Sequence, residues 1–163
     1  MYMYAHPGKK LNFMGNEIAQ FREWDEKRQQ DWNILSFPKH KEFHRFMMDL
    51  NQVYEKHPAF WEADYRQDGF AWIDCHQEEK CIYAFERKSR KERIVAVFHF
   101  GNATEQEYTM PIANAKKLKL ICSSDDLEMK KAHPEYQKDL TVKGGQVVMQ
   151  LPAYSARFYE VAE

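Results

Sequence analysis

The chain has 163 residues, 24 of them basic and 25 acidic, for a formal net charge of −1 at pH 7. Neither half carries the basic excess that a nucleic-acid backbone or an anionic membrane surface attracts, so both partner classes are excluded. Aromatic residues make up 15% of the sequence, which gives the apolar mass for a packed core and excludes a disordered chain.

In chain order, the N-terminus MYMYAHPGKK has no basic region followed by an apolar run, and so does not read as a secretory signal. No later segment approaches the 18 or more apolar residues of a membrane helix. The run 11–14 (LNFM), ended by Gly15, predicts a short strand. Residues 15–36 are polar and aromatic without a period, a loop long enough to suggest function. Residues 38–57 predict a helix: Ser36 is placed to cap it and Pro38 suits its first turn. Phe43, Phe46, Met47, Leu50, Val53 and Tyr54 follow helical spacing, and Pro58 ends it.

From residue 58 onward the pattern changes to short strands at 70–75, 80–87, 92–100, 107–112, 117–123, 145–151 and 154–161, with Gly144 and Gly145 marking a turn. Ile94, Ala96, Phe98 and Phe100 share one face of their strand and Val95 and Val97 the other, as in a central strand buried on both sides. In the strand 145–151, Val147, Met149 and Leu151 alternate with Val148 and Gln150, which predicts a half-exposed strand. Seven such strands predict a mainly β fold, an antiparallel sandwich preceded by strand, loop and helix.

Most motifs have ordinary readings. His40 and His44 stand at i, i+4 on the helix. Lys41 occupies the position where a metalloprotease needs Glu, and no third ligand has a recognisable spacing, so no metal site is expected and the pair reads as solvated helix face. Cys75, Cys81 and Cys122 lack a CxxC spacing and read as reduced, buried thiols in a cytoplasmic protein. No glycine-rich phosphate loop is present and no cofactor is expected. The basic cluster Arg87, Lys88, Arg90, Lys91 and Arg93 reads as a solvated hairpin turn beside Glu86 and Glu92.

The stretch 15–32, GNEIAQFREWDEKRQQDW, is different. It sets Glu17, Glu23, Asp25, Glu26 and Asp31 beside Trp24 and Trp32. Carboxylates accept hydrogen bonds from sugar hydroxyls, and flat rings stack on pyranose faces. Glu17, Trp24, Asp31 and Trp32 are therefore the candidate substrate-binding residues. The competing reading is a polar surface loop anchored by its tryptophans.

HPGKKLNFMGNEIAQFREWDEKRQQDW, with DLNQVYEKHPAFWEAD, GFAWIDC and the closing LPAYSARFYE, resembles the C-terminal part of bacterial 1,4-α-glucan (glycogen) branching enzymes of the α-amylase superfamily. The likeness is strongest at 6–75 and weaker at 101–144. Two departures stand out: His99-Phe100 where the family usually has Asn-Phe, and the segment 123–144.

The resemblance implies that residues 1–57 are the last strand, loop and helix of a (β/α)₈ catalytic barrel, which in full needs about 250 residues. It implies that 58–163 form the all-β C-terminal domain. It implies transfer of α-1,4-glucan segments to 6-hydroxyls with retention, by a nucleophile and an acid/base carboxylate about 5–5.5 Å apart. The family's three catalytic acidic residues lie upstream of the part that this chain resembles, and Glu17 corresponds to a strand-eight glutamate that is none of them. No catalytic residue is therefore expected here, and the chain is expected to be an inactive fragment. Two alternatives stand beside this reading. One is a non-catalytic α-glucan-binding or structural sandwich module, with Trp61 and Trp72 as stacking platforms or as core. The other is part of another α-amylase-superfamily glucan hydrolase. A strand and helix cut from a barrel would leave Leu11, Phe13, Phe43, Phe46, Met47 and Leu50 uncovered. Loose order in 1–35 or self-association is expected to follow.

Overall fold

A computed structural model describes residues 1–126 and 138–163. Part of the segment 123–144, one of the two departures from the resemblance, lies outside the described residues. All seven expected strands are present: β1 (Phe70–Gln77), β2 (Ile82–Lys88), β3 (Arg93–His99), β4 (Glu105–Pro111), β5 (Lys117–Ser123), β7 (Gln146–Leu151) and β8 (Ser155–Ala162). A short β6 (Leu140–Thr141) adds to them. They form a six-stranded sheet in the order β1-β2-β3-β8-β5-β6 and a two-stranded sheet β4-β7. Every pairing is antiparallel.

β3 lies inside the larger sheet, and its alternation decides the layering. Val95 and Val97 point to one side and join Tyr108, Met110, Val147, Met149 and Leu151 of the smaller sheet in one core. Ile94, Ala96 and Phe98 point to the other, where Phe85 and Phe158 meet the N-terminal segment. Phe100 falls beyond the end of β3 and is half-exposed rather than buried with the other three.

The second core is closed by two helices, α1 (Tyr2–Ala5) and α2 (Pro38–Lys56). Pro38 begins α2 as expected, but Phe37 rather than Ser36 is its capping residue, and the Ser36 hydroxyl donates instead to the Asn33 carbonyl at 2.8 Å. The run 11–14 is not a strand; it has no β partner and leads into a 3-10 turn at Asn16–Ile18. A lone segment cannot hold strand geometry without a neighbour to bond its backbone. Nor is the apolar face of α2 uncovered: Met47 and Leu50 are buried against the sheet, and Phe43 and Phe46 are partly buried beside them.

A fully buried arginine ties these layers together. Arg87 on β2 donates through Nη1 to the Ala5 carbonyl at 2.5 Å, through Nε to that of Gly69 at 3.3 Å and through Nη2 to that of Phe60 at 3.0 Å. Its Nη2 also pairs with Asp64 at 2.5 Å. The sequence reading placed Arg87 in a solvated basic hairpin; it is instead a core residue. The rest of that cluster is largely neutralised, with Lys88 and Arg93 on Glu86 at 2.7 Å and Arg90 facing Glu62 at 3.6 Å. Cys122 is buried as expected, whereas Cys75 and Cys81 are half-exposed free thiols.

His99 is also absorbed by the fold. It is buried, and its Nδ1 bonds the Pro152 carbonyl at 2.9 Å. A Cβ on the next turn residue, Gly101, would come within 2.6 Å of the His99 ring, so the large side chain requires a glycine beside it.

Replacing Arg87 by Met strands the Asp64 carboxylate and three carbonyls. It is expected to lower the unfolding free energy by about 3–5 kcal/mol, read from the urea midpoint. Alkaline pH acts on the junction of the two sheets, where Tyr108 donates to Asp74 at 3.1 Å. Burial, reinforced by the Asp74 charge and this bond, holds the Tyr108 phenol far above its usual range. The folded chain therefore keeps this proton longer than the unfolded one. The stabilisation is complete below about pH 10 and is lost as pH rises further. Tyr108→Phe is expected to flatten that alkaline limb in unfolding curves taken between neutral and alkaline pH.

Candidate functional site

The loop 15–32 sits on the N-terminal half of α2. Gly15 opens it in the left-handed region at φ +85°, and a Cβ there would come within 3.0 Å of Gln20, so both backbone and space demand glycine. Ile18 is fully buried beneath the 3-10 turn. The two helix histidines then clasp the turn from below: His40 Nδ1 bonds the Ile18 carbonyl at 2.8 Å and His44 Nδ1 that of Glu17 at 3.2 Å. They are not the solvated face the sequence suggested. Their i, i+4 spacing serves two successive carbonyls, and no metal-holding cluster occurs among the described residues.

Further along, the loop is closed by charge. Arg22 Nε donates to both Asp31 oxygens at 3.1 and 2.9 Å, and the Asp31 N–H donates to Gln20 Oε1 at 3.0 Å. Arg22 also reaches the Gln29 carbonyl through Nη2. A second 3-10 turn, Trp32–Ser36, leads into α2 and buries Ile34.

The four candidate residues thus occupy different environments. Glu17 is half-buried on the first turn, with its backbone carbonyl used by His44. The Asp31 carboxylate is engaged by Arg22. Trp24 is 49% exposed and meets Phe13 edge-on at a centroid distance of 5.6 Å. Trp32 is 44% exposed at the start of the second turn. Only Trp24 of the four lines the hollow of about 320 Å³ on this loop, together with Gln20, Phe21, Arg22 and Glu23. Phe21, 87% exposed at its edge, was missed because an apolar residue in a polar run normally reads as buried. Trp61 and Trp72, weighed earlier as core or platform, are both half-exposed.

The description "Alpha amylase, C-terminal all-beta domain" matches residues 72–162, which covers β1 to β8 apart from the first residues of β1. This chain belongs to that family. Its curated relatives are 1,4-alpha-glucan branching enzymes. That of Aquifex aeolicus is 40% identical over 129 residues, 78% of this chain and 20% of the relative. That of Oceanobacillus iheyensis is 37% identical over 128 residues, 77% and 20% of the two chains. That of Clostridium perfringens reaches 47% over 98 residues, 60% and 14%. The chain spans about a fifth of the length of the first two. Among solved structures, an Anoxybacillus alpha-amylase superposes with a TM-score of 0.64 at 20% identity, over 99% of this chain and 30% of that one. A Nostoc punctiforme debranching enzyme gives 0.66 at 14%, over 97% and 29%. At these identities the likeness is one of fold, and it extends beyond the all-β domain to the N-terminal loop and α2.

Because Arg22 and Asp31 close the loop without supporting the core, Asp31→Asn is expected to speed amide exchange across 20–31 several-fold. The urea midpoint should shift by less than about 1 kcal/mol equivalent. A global loss of protection would show that the pair also supports the core.

Proposed function

We propose that this chain is the C-terminal portion of a 1,4-α-glucan branching enzyme. Residues 1–57 close its (β/α)₈ barrel and residues 58–163 form the all-β domain packed against it. The observation that carries this reading is the loop 15–32, held rigidly on α2 by Gly15, the histidine clasp and the Arg22–Asp31 pair, with Trp24 and Trp32 half-exposed on it. In such barrels the loops that follow the strands build the active face. The names of the curated relatives supply the reaction: segments of α-1,4-glucan moved to 6-hydroxyls.

The residues take distinct roles in this reading. Trp24, beside its hollow, and Trp32 offer ring faces to the α-glucan chain. Glu17 braces the barrel rim, and Asp31 acts by holding Arg22 and so the loop's shape. No catalytic residue lies in this portion; the nucleophile and the acid/base belong to the remainder of the barrel. That remainder also explains Leu11, Phe13, Met14 and Phe21, which stand exposed along one short stretch and need an apolar cover. Without it the chain is expected to self-associate through this stretch. The enzyme works on glycogen in the cytoplasm.

The isolated chain is expected to leave the iodine–amylose absorbance unchanged. A chimera in which it replaces the matching segment of the Oceanobacillus iheyensis enzyme is expected to lower that absorbance, and Trp24→Ala in the chimera to slow the fall about tenfold. A folded chimera without branching activity would overturn the reading. Light scattering of the isolated chain is expected to show concentration-dependent oligomers that Phe21→Ser and Leu11→Ser dissolve.

A further inference from the structure

Trp61 and Tyr65 lie in the turn segment that joins α2 to β1, on the far side of the sequence from the loop 15–32. Trp61 is 45% exposed and Tyr65 78% exposed. Neither is a loose surface residue. The Trp61 indole N–H donates to the Tyr54 carbonyl at the end of α2 at 3.1 Å, which fixes the ring while leaving part of its surface open. The backbone beneath is held by Arg87 at three points: Phe60 just before the segment, Asp64 within it, and Gly69 at its end. Gly69 lies so close to Ala63 that a Cβ there would sit 2.4 Å from the Ala63 carbonyl, so the segment is also folded tightly on itself.

A buried guanidinium fixing the base of a turn that carries two exposed aromatics gives a pre-organised platform, on which little freedom remains to be lost on binding. The charges around it are already matched: Arg66 is bonded to Asp68 through two nitrogens and Arg90 faces Glu62 at 3.6 Å. A highly charged partner would find no unmatched patch there. A neutral polyol with flat apolar faces and hydroxyl rims suits it, because the rings take the C–H faces while the paired side chains and the Tyr65 hydroxyl bond the rims.

We propose that Trp61 and Tyr65 form an α-glucan contact site on the α2–β1 junction, separate from the loop 15–32. The choice of glucan as ligand rests on the function proposed above. This site captures the polymer remotely, which suits an enzyme whose substrate is far longer than its active cleft.

Maltoheptaose titrated into the 163-residue chain, followed by the four tryptophan indole resonances, tests this. At millimolar sugar the Trp61 resonance is expected to shift and saturate. Tyr65→Ala, a surface change that leaves the fold intact, is expected to weaken that response about tenfold, equivalent to about 1.4 kcal/mol. Trp61→Ala should abolish the effect on Tyr65, whereas Trp24→Ala should leave the Trp61 response unchanged. An unmoved Trp61 signal, or a response indifferent to Tyr65→Ala, overturns the site. If the chimera branches glucan but Trp61 is silent, this inference alone fails. If Trp61 responds but the chimera is inactive, the branching reading fails and the binding site stands.

Discussion

Burying a guanidinium with only one carboxylate nearby is tolerable only if its remaining N–H groups find acceptors, and this requirement organises the molecule around Arg87. The acceptors come from three separate stretches: Ala5 on α1, Phe60 and Asp64 after α2, and Gly69 before β1. Each must reach the same point on β2. The N-terminal segment, the helix exit and the sheet edge therefore adopt one mutual arrangement. Lys10 extends the network, donating to the His6 and Gly8 carbonyls at 2.5 and 2.7 Å and standing 4.0 Å from Asp64. Hydrophobic burial supplies most of the stabilisation on either side of the sheet, but it is non-directional. The arginine gives the layers their register.

The same division between mass and direction recurs at the loop 15–32. Ile18 and Ile34 bury apolar surface beneath it, which fixes where the loop sits. Its shape is fixed by polar contacts: two helix histidines on consecutive carbonyls and an arginine spanning to an aspartate nine residues away. A loop held this way presents its aromatic side chains outward at little further entropic cost. The α2–β1 junction follows the same rule with Arg87 in place of the histidines. The chain thus has two aromatic surfaces, each supported by directional bonds from a buried or half-buried base, with the sheet and α2 between them.

The strands were legible because their signal is local. Alternation in 92–100 and 145–151, bounded by turn residues, identifies β3 and β7 without knowledge of any partner, and the two-sided burial of β3 follows from Val95 and Val97 opposing Ile94 and Ala96. The helix over 38–57 was legible from its period. The run 11–14 misled because apolar composition alone does not make a strand; a strand needs a paired neighbour. The aromatic and acidic character of 15–32 pointed to a sugar-handling surface, while the work of its members did not show: Asp31 reads as a free carboxylate until Arg22 is seen to hold it.

What the sequence determined by itself was the fold class, the order of elements, the family likeness and the stretch that faces a glucan, because these depend on residue type and near-neighbour spacing. What only the tertiary structure decided was the role of particular polar side chains. Arg87 looked like one charge in a solvated turn, and His40 and His44 like an exposed pair. Their partners lie 18 to 82 residues away for Arg87 and 22 and 27 residues away for the histidines. A hydrogen bond between distant segments leaves no periodic mark in either, so its existence, and the rigidity it gives, emerges only when the chain has folded and brought donor and acceptor together.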